Sequence, residues 1–138
     1  MVEMTVKLET DTIRIIAAFE KLTKVHAKDC LVAENCIYFL VDADKIGMAI
    51  GKNGAVIKET SNRLGKRIRL FGHADTPEGF IRGMVPGLKD IRTEDSSMVA
   101  TIQPKDRTMM IGKNGETIKA IRDMLKRHYS ISDFKIKM

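Results

Sequence analysis

The chain has 138 residues, of which 43% are hydrophobic and 30% charged, and its net charge is +6. That balance excludes a disordered polyelectrolyte, and no apolar run approaches the ~20 residues needed to span a bilayer. No basic-then-apolar leader opens the chain, so a cytoplasmic protein with no membrane partner is expected.

Taken in order, Thr10 is placed to cap a helix running to about Thr23, with Ile13, Ile16, Ala17 and Phe19 on its apolar face. Residues 27–33 read as a strand, Glu34-Asn35 as a turn, and residues 36–41 as a second strand. That second run is almost wholly apolar, which predicts a central place in its sheet. A short helix begins at Asp42 or Asp44 and breaks at Gly51. A second helix runs from there to Leu64, ends at Gly65, and leads into a strand over 67–71. Thr76-Pro77 starts the next helix, which Gly79 and Gly83 weaken by about 1 kcal/mol each relative to alanine, so packing must hold it. Strands over 88–93 and 98–102 follow, then a short helix opened by Pro104, a long helix over 115–127 and a last strand over 131–137.

The second half repeats the first. Met48-Ala-Ile-Gly-Lys-Asn-Gly54 returns 61 residues later as Met109-Met-Ile-Gly-Lys-Asn-Gly115. Laying residues 45–65 on 106–126 without gaps gives nine identities, and Lys28-Asp29 meets Lys89-Asp90 at the same offset. One Gly-x-x-Gly carries little information; two in register with matching flanks mark a duplication. Domains over 1–74 and 75–138 are expected, each with twelve Lys/Arg against nine Asp/Glu and hence +3, a basic excess that suits a polyanion. Each half is near the lower size limit for an independent core, and the short linker predicts a fixed mutual orientation.

Between two helices, Gly-Lys-Asn-Gly offers the chemistry of an anion clamp. The following helix presents free amides and a positive dipole end. Gly51, Gly54, Gly112 and Gly115 remove side chains, so that a sugar-phosphate backbone can come close. Lys52 and Lys113 add mobile charge, while Asn53 and Asn114 either hydrogen-bond or tolerate a left-handed turn. No bond is made or broken by such a site, and neither an enzyme nor a cofactor is expected. Gly47-x-x-x-Gly51-Lys52-Asn53 falls short of a nucleotide-binding P-loop: it lacks one residue and the metal-binding hydroxyl, and it follows a helix where a strand is required. Its second copy has Thr108 in place of the first glycine. His26, His73 and His128 show no ligand spacing, so no metal is expected. Cys30 and Cys36 flank a turn that sets residue 36 opposite residue 33. They read as buried free thiols, with a bridge the alternative in a hyperthermophile.

These paired corners and the helix-first order resemble the KH domain, whose Gly-x-x-Gly loop clamps four nucleotides of single-stranded nucleic acid. The helix-first arrangement is similar to the type II variant. Two copies on a short linker resemble the tandem KH region of the transcription factor NusA, in its short archaeal form. The resemblance implies an α+β fold of two tandem type II KH domains, each a three-stranded mixed sheet covered on one face by three helices. It further implies single-stranded RNA binding and a role in transcription elongation, termination or antitermination. A polymerase-binding domain and an oligonucleotide-binding barrel, found in bacterial NusA, are not expected within these residues, so RNA polymerase as a partner stands on family analogy alone. A monomer is expected.

By the same resemblance, bases would lie in a groove beside each corner. Ile46, Ile50 and Ile57 are its candidate wall in the first copy. Ile111 and Ile118 match in the second, where Arg107 replaces Ile46 and makes the groove more basic. Lys58 and Lys119, one turn beyond each corner, are candidate phosphate contacts. With aromatics at 5% and no Trp, aliphatic contact and base-edge hydrogen bonds are favoured over stacking on rings. The bland readings are core packing for the isoleucines and a solvated helix face for the lysines. Lys66, Arg67, Arg122, Lys126 and Arg127 read as surface charges at helix ends. Two other functions fit a KH scaffold: protein contacts, or an accessory role at the ribosome or in RNA processing.

Overall fold

The computed structural model describes the backbone from Val2 and side chains from Thr12 onward. The chain divides into two compact units, Met1–His73 and Ala74–Met138. In the first, α1 (Val2–Thr23) precedes β1 (Asp29–Val32) and β2 (Cys36–Asp42). A 3-10 turn leads to α2 (Ile46–Ile50), then α3 (Ala55–Leu64) and β3 (Arg67–His73). The second unit has α4 (Pro77–Met84), β4 (Asp90–Glu94), β5 (Ser97–Thr101), α5 (Arg107–Ile111), α6 (Glu116–Tyr129) and β6 (Asp133–Lys137). The helix start expected at Thr10 is not observed, because α1 already begins at Val2 and carries Thr10 in its interior.

Each sheet is mixed. β2 runs antiparallel to β1 and parallel to β3, and β5 does the same between β4 and β6. The central position predicted for β2 is observed, and its residues from Cys36 to Val41 are all buried. A parallel neighbour requires a crossover, and the two helices α2 and α3 supply it. Alternation along β2 sends Ile37, Phe39 and Val41 into one cluster with Phe19, Val25, Ala27, Cys30 and Ala49. Phe19 stacks on Phe39 with centroids 3.9 Å apart. On the opposite face Tyr38 stacks on Phe71 at 5.4 Å, and both are buried. The same face of the second sheet has no such ring pair and instead lines an open cavity of about 700 Å³ with Arg92, Val99, Thr101 and Lys137.

The inward face of α1 differs from the one expected. Ile15 and Ile16 pack with Phe19 against the core, and Thr23 is buried with its hydroxyl donating to the Phe19 carbonyl at 2.8 Å. Ile13 is 66% exposed and Ala17 is also outward. The stripe 15-16-19-23 keeps helical spacing with the buried Thr23, whereas 13 and 17 fall a quarter-turn or more away. At α4 the expected start holds: Thr76 Oγ1 accepts from the Gly79 amide at 3.0 Å, with Pro77 at the first helical position. Cys30 and Cys36 are both buried and free, and Ala33 donates its amide to the Cys36 carbonyl at 2.9 Å.

Candidate nucleic-acid interface

Both Gly-Lys-Asn-Gly corners join a short helix to the long one that follows. In the first, φ/ψ are 77°/174° at Gly51, 56°/26° at Asn53 and 74°/14° at Gly54. In the second they are 75°/178° at Gly112, 56°/28° at Asn114 and 73°/14° at Gly115. Asn53 and Asn114 therefore take the left-handed conformation that asparagine tolerates better than most residues. Inside each corner, one bond leads back to the short helix: Gly51 donates to Gly47 at 3.0 Å, and Gly112 to Thr108 at 2.9 Å. A second closes the turn, from Gly54 to Gly51 at 3.1 Å and from Gly115 to Gly112 at 3.2 Å. The amides of Lys52, Asn53, Lys113 and Asn114 make no backbone hydrogen bond among the described residues.

The two glycines of a corner serve different ends. A Cβ on Gly51 would lie 2.8 Å from Val56 Cβ, and one on Gly112 would lie 2.7 Å from Thr117 Cβ. The first glycine thus makes room for a residue of the following helix. A Cβ on Gly54 or Gly115 would meet nothing within 4 Å, so the second glycine is needed for its backbone angle and leaves its outer side bare. All four side chains of Lys52, Asn53, Lys113 and Asn114 are exposed.

The other candidates are placed as follows. Ile50 is 38% exposed beside the first corner, next to Met48 at 53%, which sequence reasoning passed over. Ile46 packs against the core, and a Cβ on Gly72 would come within 2.9 Å of its Cδ1. Its counterpart Arg107 is exposed at the start of α5. Ile57, Ile111 and Ile118 are half-buried, and Lys58 and Lys119 lie on exposed helix faces. A cleft of about 220 Å³ opens between α3 and β3, lined by Ile57, Lys58, Ser61, Asn62, Arg67 and Ile68. Ser61, Asn62 and Ile68 were not anticipated. A signal existed for the first two, since they follow Ile57 and Lys58 by four residues and so share their face.

One lysine and one arginine expected at the surface are tied to backbone. Lys66 Nζ donates to the Ala33 carbonyl at 2.7 Å, and Arg122 Nε to the Phe134 carbonyl at 3.1 Å. Among the described residues no group of three His, Cys, Asp or Glu side chains is placed to hold a metal. No helix there is long and apolar enough to cross a membrane.

Comparison with known proteins agrees with this architecture. Residues 13–75 match the KH domain family. A probable transcription termination protein NusA of Halococcus morrhuae is 35% identical over 138 residues, covering 96% of this chain and 99% of that one. Its counterpart in Methanocaldococcus jannaschii is 29% identical, covering 95% and 75% respectively. The crystal structure of APE1850 superposes with a TM-score of 0.73 at 29% identity, covering 93% of this chain and 99% of that chain. With a KH match over the first unit and end-to-end similarity to the Halococcus protein, this chain belongs to the archaeal NusA family.

Proposed function

We propose that the chain is a single-stranded RNA-binding protein of two tandem type II KH domains, over 1–74 and 75–138, acting as a transcription elongation, termination or antitermination factor. The observation that carries this reading is the pair of exposed corners with dihedrals matching to within a few degrees. Each presents unpaired amides and a lysine where a phosphate could sit, at the start of a helix whose dipole favours an anion. The names of the relatives supply the process, and the family match on the first unit supports RNA as the ligand. Its work is binding without catalysis, in the cytoplasm, with RNA polymerase a partner only by analogy.

The test changes Lys52-Asn53 and Lys113-Asn114 to Asp-Asp, separately and together, and follows binding of single-stranded RNA by fluorescence anisotropy. Carboxylates facing phosphates should weaken binding about tenfold or more per corner, while the circular dichroism spectrum and melting temperature hold. Undiminished affinity in the fourfold variant would place the ligand elsewhere and favour a protein-binding scaffold.

A further inference from the structure

The two units share a corner but differ in the cleft beside it. Cys36 pairs with Arg67, and Ser97, its equivalent 61 residues on, pairs with Asp133. Arg67 and Ile68 of β3 therefore correspond to Asp133 and Phe134 of β6. On the helices the same offset matches Ser61 and Asn62 with Arg122 and Asp123. In the first unit those four positions line the open cleft. In the second, Arg122 Nε reaches over and donates to the Phe134 carbonyl at 3.1 Å. A guanidinium thus ties helix to edge strand, where Ser61 merely closes its own helix end by donating to the Lys66 carbonyl at 2.6 Å. Charge differs too. Lys58 and Arg67 face no acidic counterpart at these positions, whereas Asp123 and Asp133 offset Lys119 and Arg122.

We propose that Arg122 makes the surface between α6 and β6 selective for guanine, while the cleft of the first unit grips a strand with no such preference. The proposal rests on the RNA-binding reading above. A guanidinium carries five N–H donors in a fixed plane. The Phe134 carbonyl takes one, which fixes the plane and leaves the two terminal nitrogens. Arg122 is exposed, and those nitrogens have no partner among the described residues. Such a fork bonds best to two adjacent acceptors. Guanine offers them as O6 and N7, while adenine sets an N6 donor beside its N7. The neighbouring carboxylates lower the general attraction for phosphate, so that base chemistry weighs more on this surface than in the cleft of the first unit.

The test uses RNA tetramers of uridine carrying a single G or a single A at each position. Binding is followed by NMR through the amides of residues 112–119 and the Arg122 Nε–H. The expected result is that the best G tetramer saturates the second-unit amides at about a tenfold lower concentration than the best A tetramer, with the Arg122 resonance shifting alongside. Replacing G by 7-deazaguanine, which lacks N7, should remove most of that gap. Arg122→Ser and Arg122→Lys should both abolish it, the lysine variant keeping the charge and testing the planar fork alone. Their amide spectra report that the unit still folds. An unchanged G-to-A ratio in both variants, or no preference in the wild type, overturns the proposal and leaves Arg122 as a brace. If no tetramer or longer RNA shifts either corner, the RNA-binding reading itself falls, and this one with it.

Discussion

The Tyr129 hydroxyl and Ala74 exchange two hydrogen bonds: the hydroxyl donates to the Ala74 carbonyl at 2.8 Å, and the Ala74 amide donates back at 3.0 Å. One side chain at the end of α6 thereby satisfies both backbone groups of the second unit's first residue, while its ring lies 5.3 Å from that of Phe80. Tyr129→Phe keeps the ring and strands both groups. It should cost about 1–2 kcal/mol, read as a lower urea midpoint with an unchanged slope.

The same residue predicts a pH dependence. Burial pushes the Tyr129 hydroxyl above its usual value of 10.0, with the Ala74 hydrogen bond opposing the shift and the Asp75 charge adding to it. The folded state then holds the proton more tightly than the unfolded chain. The resulting stability is complete below about pH 10 and is lost as pH climbs through the raised value. Melting temperature measured from pH 8 to 11 should fall more steeply at the alkaline end for the wild type than for Tyr129→Phe.

The two glycines of each corner should respond differently to alanine. Gly51→Ala and Gly112→Ala meet both a positive φ and the side chain five residues on, Val56 or Thr117. Positive φ with extended ψ, as at Gly51 and Gly112, costs about 1–3 kcal/mol for other residues, and overpacking typically adds about 1–3 more. Gly54→Ala and Gly115→Ala incur only the cost of left-handed backbone, about 1–2 kcal/mol, because open space surrounds the added methyl. Chemical denaturation should rank the first-glycine variants well below the second. Equal losses would show that the helix gives way at Val56 and Thr117.

Salt should separate the corner lysines from the rest of the positive surface. Affinity for single-stranded RNA is expected to fall with a log–log slope of about −0.7 per phosphate neutralised. Removing Lys52 or Lys113 as alanine should flatten that slope by about one such increment each. A slope that stays put would mean these ammonium groups touch no phosphate.

If both corners clamp RNA as proposed, longer strands should bind better. A strand held by one corner experiences the other at an effective concentration in the millimolar range for a short tether, provided it is long enough to engage both. An affinity that jumps by about two orders of magnitude between a tetramer and a strand of some 12 nucleotides is expected in direct titrations. A flat length series would mean each corner works alone.

Much of this was legible in the chain itself. The corner conformation depends on local backbone preferences, and Gly-x-Asn-Gly advertises them in both copies. The order of strands and helices followed from runs such as 36–41 and from punctuation at Gly65 and Pro77. What escaped was made by parts distant in sequence. Lys66 reads as a helix-end charge, and only folding brings the Ala33 carbonyl, 33 residues earlier, to its ammonium. Arg67 looked equally ordinary until β3 closed beside α3 and put it in a cleft with Ile57. The resemblance put Ile46 in a groove wall, and its place against Gly72 depends on how β3 returns to the start of α2.

Val56 and Thr117 each sit where a side chain on the preceding glycine would have to be, so the corner's shape is settled by its own helix and owes nothing to what docks there. A ligand docking there would meet a loop already in shape. If RNA docks there as proposed, the entropy of ordering would fall on the RNA, and contact energy at the corners would go into affinity instead of into reshaping the protein.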